Sequence, residues 1–253
     1  MNFHRGYARG KITVPGVNTT DPVFEKSIVE TFDHYPVFQK QGGAVPGGTT
    51  GDENMMLTTK NAFEYHILGT QTITAPTWAS TGLDVGMDQT ADDGVELTNG
   101  ITSRSKAAFT VGTDGPFYLE VTFSIADVSG TDDCAIGFRK AEAYQANLDD
   151  YDEMACLNVI SGAINIETIL NNGATTTTDT TDTWADAASH TLKVLVDGNG
   201  AVTYQIDGVA PTTTAAFSFD SAEVVVPFFY FLNDTDLAGN VLITSWKVDN
   251  LSA

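Results

Sequence analysis

The residues of this chain with most capacity for chemistry are its carboxylates, 33 Asp and Glu against 12 Lys and Arg. The densest run is Asp149-Asp150-Tyr151-Asp152-Glu153. Glycoside hydrolysis needs two carboxyl groups set across one bond. The Glu-x-Asp-x-x-Glu spacing that would put such groups on one strand face does not occur. The run therefore reads as an exposed, solvated loop. A hard cation needs six to eight oxygens, and neither this run nor Asp127, Asp132 and Asp133 has the EF-hand spacing. His4, His34, His66 and His190 form no His-x-x-x-His pair, and no Gly-x-Ser-x-Gly elbow or phosphate-cradling loop is present. The expectation is a chain with no catalytic residues, metal or cofactor. What remains is recognition by ring stacking: Trp184 in a polar stretch and Tyr151 in the acidic run are the candidates for contact with sugar rings. Trp246, in an alternating terminal run, reads as core.

Charge is unevenly laid out. The net charge is −21, which disfavours nucleic acid and anionic membrane as partners. Residues 1–60 are neutral, with six basic and six acidic side chains, so the remainder carries the whole excess. Arg5, Arg9 and Lys11 stand in the first eleven residues with no acid among them. The opening MNFHRGYARGKITVPG has no apolar stretch of a secretory leader, and nowhere do 18 apolar residues run together. Cys134 and Cys156 sit at apolar positions of strand-like runs and read as buried thiols rather than a disulfide.

Most of the chain reads as short strands. Phe117, Leu119, Val121, Phe123 and Ile125 alternate with polar residues without a miss, the period of a half-buried strand. Leu192, Val194 and Val196, then Val202, Tyr204 and Ile206, repeat it on either side of Asp197-Gly198-Asn199-Gly200. VVVPFFYFL, from Val224 to Leu232, is apolar on both faces, as in a strand buried between layers, with Pro227 implying a bulge or an edge. Ala174 to Thr183 reads as a long polar loop. Residues 1–60 are rich in Gly and Pro and read as an extended arm. One short helix is expected there, capped by Asp21 and ended by Pro36, with Phe24, Ile28, Phe32 and Tyr35 as its apolar stripe. The fold expected is an all-β, antiparallel two-sheet jelly-roll sandwich over 61–253, preceded by the 1–60 arm.

PFYLEVTFSIADVSGTDDCAIGFRK, HTLKVLVDGNGAVTYQIDG and VLITSWKVDNL together resemble the concanavalin-like, laminin-G-like jelly roll. That resemblance implies the sandwich and no one function, since the fold hosts lectins, enzymes and structural proteins. An arm followed by an acidic Thr/Ala/Gly-rich sandwich also resembles the capsid decoration (cement) proteins of tailed marine bacteriophages. The second resemblance implies a virion structural protein made in the host cytoplasm. Its arm, through Phe3, Arg5, Tyr7, Arg9, Lys11, Phe24, Ile28, Phe32 and Tyr35, would hold a major capsid protein or other virion subunits, and the protein would be a homo-oligomer. The alternative is a glycan-binding module of a tail fibre or spike, contacting host-surface sugar through Trp184 and Tyr151.

Overall fold

Alternating side chains commit much of this chain to strands, and the computed structural model places seventeen among its described residues. It describes residues 26–40, 53–69, 76–79, 81–86, 90–234 and 239–251. In chain order these are β1 (Ile28–Glu30), β2 (Val37–Lys40), β3 (Glu53–Leu57), β4 (Ala62–Leu68), β5 (Thr77–Ala79), β6 (Gly82–Asp84), β7 (Gly94–Thr98), β8 (Phe109–Thr110) and β9 (Phe117–Ile125). They continue as β10 (Thr131–Lys140), β11 (Met154–Ile160), β12 (Ala163–Ile169), β13 (Thr176–Thr183), β14 (Ser189–Val196), β15 (Val202–Ile206), β16 (Val224–Asn233) and β17 (Val241–Asn250). Two single 3-10 turns, Val128–Gly130 and Leu148–Asp150, are the helical segments among the described residues.

The strands form two antiparallel sheets. One has seven strands in the order β15-β14-β9-β17-β6-β5, with β1 also on β17; the other has ten, β13-β12-β11-β10-β16-β7-β4-β3-β2, with β8 also on β16. Between them lies the main core, in which Phe117, Leu119, Val121, Phe123 and Ile125 of β9 face Ile136, Phe138, Phe229 and Phe231 of β10 and β16. Fully burying each such side chain is worth about 1.5–3 kcal/mol, which is why the period-2 pattern dictates the sandwich. The hairpin β14–β15 turns at Asp197 to Gly200, with Gly200 at φ 96°, and β15 is followed by a second tight turn at Asp207 and Gly208, both at positive φ (51° and 81°).

Two expectations are corrected and a third is narrowed. The stripe Ile28, Phe32, Tyr35 belongs to no helix among the described residues. Ile28 and Glu30 are buried and Val29 is exposed, an alternation that pairs β1 with β17, Ile28 opposite Val248. Ala174 to Thr183 is not a loop; Thr176–Thr183 is the edge strand β13, whose Thr180 hydroxyl donates to the Ile164 carbonyl at 2.6 Å. Pro227 marks no bulge, since the β10–β16 register runs through it unbroken, but it does stand at a local edge. It lies opposite Phe138 in the middle of β16, between the stretch that pairs β8 (Val224, Val225) and the stretch that pairs β7 (Phe228 to Leu232), where no N–H is called for. The ten-stranded sheet runs across residue 60, since β2 and β3 lie before it and pair onward to β4.

Cys134 faces the main core and Cys156 the opposite side of the same sheet. Both are free and buried. Thiols on opposite faces of a sheet cannot approach disulfide geometry.

Candidate functional site

The outer face of the ten-stranded sheet is unlike an ordinary solvated face, because the segment after β10 folds back over it. Tyr144, Leu148 and Tyr151 are buried there, and the last two join a second apolar layer whose other members include Met154, Cys156, Phe228 and Tyr230. Tyr230 ties the cover down by donating its hydroxyl to the Ala146 carbonyl at 2.7 Å.

Under this cover the sheet buries charge. Arg139 of β10 and Glu96 of β7 are both fully buried and joined by an Nε–Oε1 bond of 2.7 Å. The Tyr151 hydroxyl donates to the other oxygen of Glu96, and the guanidinium lies 4.4 Å from the Tyr151 ring centre. Burial pushes the Glu96 carboxyl up from its ordinary value, against the pull of Arg139 and the Tyr151 hydroxyl. Burial alone would lower Arg139; the Glu96 charge more than offsets it and keeps the guanidinium protonated. Arg139 Nη1 donates at 3.1 Å to the carbonyls of Lys140 and Glu142, so the buried pair also fixes the chain where it leaves β10.

That exit forms one wall of a cleft of about 410 Å³ at the end of the sheet where β7 and β10 stop and β16 begins. Glu142 and Glu223 supply carboxylates to it, Thr102 and Ser103 supply hydroxyls, and Ile101 and Val224 apolar surface. The walls are joined, since Ala141 N–H donates to the Val224 carbonyl at 2.8 Å. Glu142 accepts the Asp152 N–H at 2.9 Å, and Lys140 stands 4.0 Å from Glu223. Burial, with the nearby Asp152 charge, outweighs that N–H and raises the Glu142 pKa.

A second polar cluster lies on the same face. Asn158 Nδ2 of β11 donates to Asp133 of β10 at 2.5 Å and to Glu167 of β12 at 2.8 Å, and its Oδ1 accepts the Cys134 N–H at 2.9 Å. Thr177 of β13 donates to Glu167 at 3.0 Å. Burial raises Asp133 to about 7, with Asn158 pulling it down and the Glu167 and Asp132 charges pushing it up. Neither cluster is a catalytic constellation. Asp133 and Glu167 share one amide rather than flanking a substrate-sized gap, and no group of three or more His, Cys, Asp or Glu among the described residues is arranged to hold a metal ion.

The side chains singled out from sequence are placed elsewhere. Trp184 is 3% exposed, stacked on Phe123 at 4.6 Å with its Nε1 donating to the Ala188 carbonyl. Tyr151 is 1% exposed. Neither can offer a ring to sugar, because the polar residues around each in sequence face outward while the ring turns in. Ile28 and Phe32 are core residues, not partner contacts, whereas Tyr35 is exposed. Phe3, Arg5, Tyr7, Arg9, Lys11 and Phe24 lie outside the described residues. Sequence reasoning missed the Arg139–Glu96 pair and the cleft. A lone Arg inside the otherwise apolar run CAIGFR was the one signal available for the first.

No family model and no curated protein matches the chain. Solved structures do. The Emp47p carbohydrate recognition domain is 15% identical over 74% of this chain and 89% of that one, with a TM-score of 0.51. The potassium-bound Emp46p carbohydrate recognition domain is 9% identical over 75% and 89%, also at 0.51. The Ca²⁺/Man3GlcNAc-bound exoplasmic/lumenal domain of VIP36 is 11% identical over 75% and 84%, at 0.50. These likenesses overturn the expectation of a capsid decoration protein, with its major capsid protein partner and its place in a virion. The arm on which that expectation rested supplies β1, β2 and β3 to the two sheets. The chain has the concanavalin-like two-sheet jelly roll that its strand pattern resembles.

Proposed function

We propose that this protein is a non-catalytic carbohydrate-recognition module whose ligand lies in the cleft between Thr102, Glu142 and Glu223. The observation that carries the reading is the cleft's mixed lining, two carboxylates and two hydroxyls beside apolar Ile101, Ala141, Ala143 and Val224. A pyranose has the same division, a ring of hydroxyls around an apolar C–H face. Carboxylates accept from neighbouring hydroxyls in pairs, and Thr and Ser can donate or accept as required. The volume lies within the range of small-ligand clefts. The buried Arg139–Glu96 pair supports this role by fixing the Glu142 carbonyl before ligand arrives, which lowers the entropy lost on binding. The carbohydrate-recognition domains among the fold neighbours support the same reading.

The test is a broad glycan array with the full chain, repeated with Glu142→Ala/Glu223→Ala. Hydrogen bonds to charged groups are worth about 1.5–3 kcal/mol, so binding should fall at least tenfold while the thermal midpoint stays near that of the wild type. A silent array, or full binding by the double variant, removes the reading.

A further inference from the structure

Tyr35 and Trp78 stand where both sheets end. Tyr35 stands two residues before β2 at the edge of the ten-stranded sheet, and Trp78 is in β5, at the edge of the seven-stranded one. Tyr35 is 70% exposed. Of the three tryptophans, Trp184 and Trp246 are buried and Trp78 alone reaches solvent. The two rings meet edge to face, centres 6.1 Å apart at 67°.

This pair, Tyr35 exposed and Trp78 half-buried, is held by buried groups. Trp78 Nε1 donates to the Phe32 carbonyl at 2.8 Å. Phe32 is 2% exposed, packs on Phe63 at 5.6 Å, and has φ +50°, a left-handed backbone that a bulky residue rarely adopts. The strain is held in place by Glu30, itself 4% exposed. Glu30 Oε1 accepts the N–H groups of Thr31 and Phe32 at 3.2 Å, and Oε2 accepts Asn61 Nδ2 at 3.0 Å and the Thr58 hydroxyl at 2.5 Å. A strained turn fixed this thoroughly, with an aromatic ring at its tip, is an arrangement found where a surface has a task.

We propose that Tyr35 and Trp78 form a stacking platform for one pyranose ring of an oligosaccharide, a second contact separate from the cleft. The proposal rests on the carbohydrate reading above. An aromatic face packs against the C–H face of a sugar, while the exposed Asp33 and His34 beside it offer acceptors and donors to the ring hydroxyls. The occupant is a sugar ring rather than a protein, because two rings present far less surface than the roughly 800 Å² that each partner of a stable protein complex buries.

Because Trp184 and Trp246 are buried, acrylamide quenching of the full chain's tryptophan fluorescence reports chiefly on Trp78. Quenching is measured with and without soluble gluco-, manno- and galacto-pentasaccharides, and affinities are compared for wild type, Tyr35→Ala and Glu142→Ala/Glu223→Ala. The expected result is shielding of Trp78 by a pentasaccharide that binds, and a roughly three- to tenfold weaker affinity for Tyr35→Ala. If a pentasaccharide binds but leaves the quenching unchanged, or binds Tyr35→Ala as tightly as the wild type, the platform is overturned and the cleft reading stands. If no pentasaccharide binds, the platform falls, and the glycan array decides the cleft reading separately.

Discussion

The outer faces of the two sheets began from the same strand grammar and ended in different physical states. On the seven-stranded sheet, Lys193 reaches Glu120 at 3.3 Å and lies 3.9 Å from the Tyr118 ring centre, and Thr122 and Thr191 share a hydrogen bond of 2.8 Å. These groups stay partly solvated, so their charges are screened and each contact is weak. On the ten-stranded sheet the cover from Tyr144 to Tyr151 removes water, and Arg139 and Glu96 face each other at 2.7 Å with no exposure. What separates the faces is the cover and not the strands. Wherever a loop lies down over polar side chains, the same ion pair passes from decoration to a requirement of the fold.

The comparison is broken most severely at Arg139. Arg139→Met leaves Glu96 buried without its cation, and a urea titration should show a loss of about 3–5 kcal/mol. A loss under about 1 kcal/mol would mean that the cover admits water and the two faces are alike. A smaller effect, in pH, sharpens the contrast. Asp133 has an ordinary pKa of 3.8 and sits at about 7 in the folded chain. The folded state therefore holds its proton more tightly than the unfolded one. The stability this contributes is full below about pH 4 and is lost as pH rises to about 7. The wild type should accordingly unfold at lower denaturant at pH 8 than at pH 5, and Asp133→Asn should lessen that slope. An unchanged slope in the variant would show that Asp133 titrates as a solvated group. The smallest effect belongs to the other face, where Lys193→Ala should cost about 0.2–1 kcal/mol by the same titration.

The main layer of the fold was legible because burial between sheets imposes strict alternation. β9 begins and ends where its pattern does, and β14 and β15 bracket the turn that Asp197 to Gly200 announces. The errors came where one pattern serves two structures. Ile28, Phe32 and Tyr35 have helical spacing, yet Ile28 and Phe32 reach the core from a three-residue strand and a strained turn, and Tyr35 never does. The run Thr176 to Thr183 lacks apolar alternation because an edge strand with both faces largely wet requires none. The site was hardest to read. Glu96 and Arg139 are 43 residues apart, and nothing in either neighbourhood shows that a loop from a third segment will bury both. Tyr151 misled for the same reason: its neighbours Asp149 and Asp150 are exposed and the ring beneath them is not.

The pairing of β1 with β17 bears on how the domain can be cut and rejoined. Ile28 lies opposite Val248 and Glu30 opposite Trp246, so the first strand begins beside the end of the last. Residues 26 and 251 therefore leave the seven-stranded sheet at the same end. A short Gly/Ser bridge between them, with the chain reopened at the Asp207-Gly208 turn that follows β15, would give a permuted protein whose two sheets keep every strand neighbour. For the same reason the whole sandwich can be inserted into a surface loop of a host protein without stretching either.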